Sequence, residues 1–382
     1  MKSALVLGGG VMGLTAAWAL ARAGWSVRLL DQDALPNERG SSVDDHRLIR
    51  HAYGAARGYM RMIDPAYAAW RLLFAEAGED LHVPTGVLAL ANAQGGWLAE
   101  SRAALRADGH ALAELEAAAV AARYPFLRPD GIAQAFHMAS GGVLLARRIV
   151  QALLAVLAAR GIAPIRARAR AVDPRQGWLE TAEGDRLSAD LLVVAAGPWA
   201  PRLLPALAPQ VRPTRQILVR LAPPPDYRAG WQAAPMLLDL AEDGGFYAVP
   251  PVAGTPLKIG DHRFAPAGDP EDPRQATAAE AEEILAFARP RLRDLHRYQV
   301  LSAAACYYDV EPAERFVLQR QGRGFVLSGF SGHGFKFAPL LGLALARAAT
   351  DPTLCDSLAG WAAGQAPPVP GLLADLEQEI PA

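Results

Sequence analysis

Three glycines near the N-terminus constrain this chain more than any other feature. Ser3–Leu7 is a short apolar run, and Gly8-x-Gly10-x-x-Gly13 follows it directly. Helix-forming residues then continue to about Ala23, Gly24 breaks the run, and Trp25–Leu30 is a second apolar stretch that ends at Asp31. The order predicts strand, tight turn, helix and second strand. Gly8 permits the tight turn, Gly10 lets the backbone approach a pyrophosphate, and Gly13 lets helix and strand pack closely. The helix start, with Val11 and Met12, would face phosphates with free N–H groups and a positive dipole. Asp31 can accept hydrogen bonds from an adenosine ribose, and its charge disfavours a 2′-phosphate. A dinucleotide other than NADP is therefore expected, with FAD and NAD left undistinguished.

The rest of the chain must accommodate that unit. At about 150 residues per domain, 382 residues give two or three domains. With 52% hydrophobic and 20% charged residues, global disorder is excluded. Lys plus Arg number 38 against 39 Asp plus Glu, so no bulk positive field draws nucleic acid or an anionic membrane. Two cysteines, Cys306 and Cys355, exclude a disulfide scaffold and point to a reducing compartment. The apolar stretch Ala4–Trp18 follows Lys2, but its glycine-rich centre makes a poor signal peptide. No transmembrane run is visible, and the expected location is the cytoplasm.

Alanine-rich stretches such as Ala99–Ala122 and Ile149–Arg160 read as helices. Pro223-Pro224-Pro225 reads as a surface turn or linker, with Val211–Leu221 a strand before it. Pro235–Pro250 reads as strands around the turn Asp243-Gly244-Gly245. Thr277 with Glu280 is a capping box that opens a helix to about Arg289, stopped by Pro290. A strand-rich block, about 214–305, thus interrupts an otherwise alternating chain and suggests an inserted antiparallel domain. Asp190–Trp199 reads as a buried strand whose small terminal residues, Ala196 and Gly197 beside Trp199, leave room against a dinucleotide.

Three further segments carry a family likeness: Gly40–Gly54 (GSSVDDHRLIRHAYG), Cys306–Phe316 (CYYDVEPAERF) and Gly329–Phe337 (GFSGHGFKF). Together with the N-terminal glycines and Leu257–His262 (LKIGDH), they resemble the D-amino-acid-oxidase-like flavoproteins, in the branch of monomeric sarcosine oxidase and N-methyltryptophan oxidase. The resemblance implies a mixed α/β (α+β) chain with FAD as cofactor. Its FAD-binding domain would be Rossmann-like, of the glutathione-reductase type, and discontinuous (1–82, 140–213 and 306–382). An antiparallel-sheet substrate domain would comprise 83–139 and 214–305. A monomer with no nucleic-acid or membrane partner is implied.

The resemblance also assigns roles. Cys306 matches a cysteine that holds FAD covalently as an 8α-thioether, although a free Cys is most often a buried apolar residue. Arg50 and Lys336 match the pair that grips the substrate carboxylate, a task suited to a guanidinium fork and a point charge. Lys258 matches the lysine that favours dioxygen reduction by stabilising developing superoxide. Arg47 and His46 fall in the loop that contacts the flavin ring. Tyr247, Tyr53, Tyr308 and His262 match positions around the substrate cavity, where aromatic walls can hold an alkylamine. Gly40, Ser41, Ser42, Gly332, His333 and Gly334 complete the expected cofactor contacts. The chain departs from the sarcosine oxidase pattern at Val43, where that pattern has His, and at His46, where it has Thr. Pocket size and preferred substrate are put in doubt by those two positions.

The run Asp44-Asp45-His46 could suggest a metal. Three adjacent ligands converge poorly on one ion, so no metal is expected. The implied reaction is oxidation of a carboxylate-bearing secondary amino acid, N-methyl or cyclic, with hydride transfer to flavin N5, hydrolysis of the imine and reduction of O₂ to H₂O₂. The alternatives are a glycine or D-amino-acid oxidase, a flavin dehydrogenase of the same fold, and a flavoprotein associated with tRNA modification. The balanced charge and the absence of a basic run argue against the last.

Overall fold

The computed structural model describes residues 1–241, 244–264 and 267–376. The N-terminal unit forms as its glycines require: strand β1 (Ser3–Leu7), helix α1 (Val11–Arg22) and strand β2 (Ser26–Asp31). β1 pairs in parallel with β2 on one side and with Leu191–Val194 on the other. The full sheet has six strands, in the order Val317–Gln321, Gly324–Ser328, Leu191–Val194, β1, β2, Pro164–Arg166. All pairs are parallel except the hairpin Val317–Gln321 with Gly324–Ser328. The central strands are apolar on both faces because both faces are covered.

α1 is buried along almost its whole length, as expected of a helix apolar on all sides. It packs on the equally buried helix Ala338–Thr350. Their closest approach depends on Gly342, where a Cβ would come within 2.7 Å of the Thr15 carbonyl oxygen. The C-terminal third of the chain is thereby tied to the first helix.

A second sheet has eight strands, in the order Gln299–Val310, Arg212–Ala222, Leu257–Asp261, Phe246–Val249, Met236–Leu240, Val87–Ala91, Gln134–Met138, Ala113–Glu114. Its pairs are antiparallel except Val87–Ala91 with Met236–Leu240, so two segments distant in sequence join at one parallel seam. The 12-residue strand Gln299–Val310 runs alongside Arg212–Ala222 for nearly its whole length. It carries the chain from this sheet back towards the first. A core of Phe126, Trp231, Phe246, Ile259 and Ile284 fills the outer side of the sheet. Among the described residues, no helix is long and apolar enough to cross a membrane.

Several local expectations change in detail. The stretch Ala99–Ala122 is not one helix. Gly96–Ala107 ends at the turn through Gly109, whose φ of 80° is left-handed, and a second helix covers Ala117–Arg123. Pro223-Pro224-Pro225 is not a surface linker, since Pro223 and Pro224 are buried and Pro225 opens the helix Pro225–Gln232. Proline suits that first helical position because its missing N–H has no intrahelical partner to lose. The turn expected at Asp243-Gly244-Gly245 lies partly outside the described residues, at Asp243. The capping box forms in both directions: Thr277 Oγ1 accepts from Glu280 N, and Glu280 Oε2 accepts from Thr277 N at 2.8 Å.

Candidate active site

Two adjoining cavities lie between the sheets. The larger, about 430 Å³, runs from the N-terminal glycine turn past Asp31 and the loop Gly40–Val43 to Ala195–Trp199. The smaller, about 170 Å³, lies under the eight-stranded sheet. Arg47, Tyr308, Gly332 and Phe335 line both.

The larger cavity fits a dinucleotide. Gly10 caps α1 without any side-chain cap, and no acid occupies the first turn. The helix dipole therefore faces the cavity uncancelled. A Cβ at Gly10 would stand 3.2 Å from Ser42 Oγ, which itself accepts a hydrogen bond from Val11 N. A Cβ at Gly8 would meet the Ala195 carbonyl oxygen at 2.2 Å. Asp31 accepts from Gly9 N at 2.7 Å, Asp33 N at 3.0 Å and Asn37 Nδ2 at 2.9 Å. A carboxylate offers about four lone-pair sites, so one remains for a ribose hydroxyl. Burial raises the Asp31 pKa, and those three donors oppose the rise.

Of the residues expected to hold the cofactor, Gly8, Gly10, Val11, Met12, Asp31, Gly40, Ser41, Ser42, Arg47, Ala196, Gly197, Trp199, Gly332 and Gly334 all line this larger cavity. Gly13 lies beneath it, where a Cβ would stand 1.8 Å from the Gly8 carbonyl oxygen. Cys306, His333 and Lys336 line the smaller cavity instead.

The smaller cavity gathers the charged residues. Lys258 sits on the central strand Leu257–Asp261 and is 2% exposed. Its Nζ donates to Asp44 Oδ2 at 2.5 Å and to the His46 carbonyl at 2.8 Å. Asp44 also accepts from Arg47 Nη1 at 2.5 Å and from Arg220 Nη2 at 2.8 Å. Burial alone would raise the Asp44 pKa, but Lys258 and Arg47 hold it well below the usual carboxylate range. Burial lowers Lys258 to about 8, with Asp44 opposing that fall. Asp44, weighed from sequence only as part of a possible metal-binding run, is thus the hub of this cluster.

Arg50 and Lys336 meet on the far wall. Lys336 Nζ donates to Tyr53 OH and to the His333 carbonyl, each at 3.0 Å. The Arg50 guanidinium stacks on Tyr53 and Trp97, at 4.8 and 5.2 Å from the ring centres. Its Nη1 is buried without a hydrogen-bond partner among the described residues. Burial and the neighbouring Arg50 charge drive the Lys336 pKa well below its ordinary value. An incoming anion would relieve both cations. Glu314, another residue sequence did not mark, lines the same cavity.

Tyr247, Tyr308 and His262 line the smaller cavity as expected, and His262 Nε2 is buried without a partner among the described residues. Burial lowers the His262 pKa to about 4, so the ring is neutral near pH 7. Tyr53 lines neither cavity and instead supports Lys336 from behind. His46 also lines neither: its ring points to the Pro256 carbonyl, and only its own carbonyl reaches Lys258. The His46 side chain is 0% exposed but packs away from the cavity, whose side of the loop is taken by Asp44 and Arg47. Cys306, on the strand Gln299–Val310, has its Sγ 3.8 Å from the Ser41 carbonyl. Burial raises its pKa, and Arg47, Arg274 and Lys258 pull against that rise.

Comparisons with known proteins agree with this architecture. A family model described as FAD dependent oxidoreductase matches residues 3–348. N-methyl-L-tryptophan oxidase from Salmonella arizonae is 30% identical over 350 residues, covering 88% of this chain and 92% of that protein. Among solved structures, L-proline dehydrogenase from P. horikoshii superposes with a TM-score of 0.79 at 19% identity, covering 95% of this chain and 97% of that one. Fructosamine oxidase from Aspergillus fumigatus (Amadoriase II) superposes with a TM-score of 0.77 at 21% identity, covering 98% and 91%. At these identities the two structures share the fold.

Proposed function

Because the chain belongs to the FAD-dependent oxidoreductase family, we propose that it oxidises a carboxylate-bearing secondary amino acid, N-methyl or cyclic, with dioxygen as electron acceptor. The observation that carries this reading is the buried, unpartnered Arg50 Nη1 in the same cavity as the Lys336 ammonium. Two desolvated cations on one wall select for an anion. The likeness to N-methyl-L-tryptophan oxidase supports an N-methylated substrate.

When bound, FAD would accept a hydride from the carbon beside the substrate nitrogen and pass the electrons to dioxygen, with release of hydrogen peroxide. The chain's own residues supply orientation and charge. Arg50 and Lys336 hold the carboxylate, which points the amine towards the Lys258 and Cys306 side of the cavity. Tyr247, Tyr308 and Phe264 enclose the alkyl portion and exclude water. Neutral His262 offers Nε2 to the amine N–H. Hydride loss from a free amine needs no general base. Cys306 would tether the cofactor as a thioether, and Lys258 would favour dioxygen reduction by its charge.

The test is peroxide release by purified yellow protein with sarcosine, N-methyl amino acids, L-proline, pipecolate, glycine and D-amino acids. Peroxide from a secondary amino acid is the expected result. Peroxide from glycine or a D-amino acid alone would overturn the secondary-amine assignment. A second reading, a dehydrogenase slow with dioxygen, draws on the ion pair of Lys258 with Asp44, which offsets the lysine charge. Flavin bleaching by substrate without air, and no peroxide in air, would select it.

A further inference from the structure

Behind the Arg50 wall stands a group of side chains that the proposed reaction does not use. His51 follows Arg50 directly but points away from the cavity and is 2% exposed. Asp64 lies in the first turn of the helix Ile63–Ala77. His110 follows the Asp108-Gly109 turn that ends the helix Gly96–Ala107. One ligand atom from each lies within 4.8 Å of the other two. His51 Nε2 and Asp64 Oδ1 are 2.9 Å apart, and the two imidazole rings are 4.4 Å apart between centres.

We propose that His51, Asp64 and His110 form a binding site for one divalent transition ion of the zinc class. Two imidazole nitrogens and one carboxylate oxygen are a donor set for such an ion, and a fourth position is left for water. Ligand atoms on a tetrahedral ion bound at about 2.0–2.1 Å are separated by roughly 3.4 Å, which lies between the 2.9 Å of His51 Nε2 to Asp64 Oδ1 and the 4.8 Å limit across the three atoms. Two of the three ligands can adjust, since Asp64 is half exposed and His110 partly so.

A second, independent observation is the orphaned chemistry of the cluster. His51 Nδ1 is buried without a hydrogen-bond partner among the described residues, and the partly exposed His110 ring packs against the His51 ring. Two imidazoles packed together without a hydrogen bond between them gain little as neutral partners and would repel as cations. A shared cation resolves both.

The surroundings hold the ligands in place. Arg61 Nε donates to Asp108 at 2.7 Å, Arg57 pairs with the same carboxylate, and Ser101 Oγ accepts from Gly54 N at 2.7 Å. An ion at this position would staple the segment carrying Arg50 to two helices.

The experiment is equilibrium dialysis of the chelator-stripped, flavin-loaded protein against zinc, with retained metal measured per chain. Wild type is expected to retain one zinc ion, with affinity falling about tenfold or more in His110→Ala and in Asp64→Asn. Both positions are partly exposed, and unchanged far-ultraviolet circular dichroism and flavin absorbance would show that each variant folds. No retained zinc in wild type overturns the proposal. Retention unchanged in both variants, or lost in only one, overturns the three-ligand site.

Discussion

Asp44 Oδ2 stands 2.5 Å from Lys258 Nζ, with both side chains at most 3% exposed and 214 residues apart in sequence. Asp44 thereby sets one negative charge against three cations, Lys258, Arg47 and Arg220, and Arg47 of these also lines the cofactor cleft. Removing one partner from a buried ion cluster leaves the others uncompensated. Asp44→Ala should therefore cost about 3–5 kcal/mol of stability, read as a lower denaturant midpoint.

Asp44→Asn keeps the shape and removes the charge. Burial already lowers the Lys258 pKa to about 8, and Asp44 opposes that fall. A lysine with a depressed pKa is charged below it and neutral above it. The rate of flavin reoxidation by dioxygen should decline as pH rises through about 8 in the wild type. In Asp44→Asn the lysine loses its proton more easily, so the decline should move to lower pH. Stopped-flow reoxidation across pH measures both midpoints.

Arg50→Gln and Lys336→Met each remove one cation facing the expected carboxylate. Truncating one partner of a buried charge pair costs about 2–5 kcal/mol, or roughly 30- to several-thousand-fold in kcat/KM. The loss should appear with amino-acid substrates and vanish with the corresponding N-methylamine that has no carboxylate. Steady-state kinetics with the two substrates side by side checks this.

Cys306→Ala should convert a flavin that stays with acid-denatured polypeptide into one that is released to the supernatant. Visible absorbance of pellet and supernatant distinguishes the two. Release from the wild type as well would remove the covalent link from the proposal and leave FAD binding itself intact.

Gly13→Ala would place a methyl group 1.8 Å from the Gly8 carbonyl oxygen. Backbone on both sides leaves no flexible end to yield, so α1 must shift away from β1. Flavin absorbance per polypeptide should fall sharply, and the helix–strand packing should loosen with it.

The parts legible in sequence share one property: their physics is local. The glycine turn, the helix it opens and the acid at the end of β2 lie within 31 residues, and each constrains its neighbours. The capping box at Thr277 and Glu280 is local in the same way. The Gly96–Arg123 region misled because alanine supports a helix without saying where it stops, and the break depended on the left-handed turn at Gly109. His46 and Tyr53 flank the short strand Arg47–Ile49, and which way each side chain faces is decided by the Asp44 cluster and by Lys336.

Asp44 and the His51–Asp64–His110 group had no signal of their own. Asp44 sits in the run Asp44-Asp45-His46, which from sequence raised only the question of a metal, and the strand register that sets Lys258 opposite Arg220 turns it into a buried hub. The three metal-class ligands come from three separate segments, with no motif spacing between them. By itself, the sequence determined the dinucleotide fold and the identity of the charged residues, because hydrophobic periodicity and glycine conformation act over a few residues. The tertiary structure alone decided which charges meet, because the cost of burying a charge depends on what the rest of the chain brings within hydrogen-bonding distance of it.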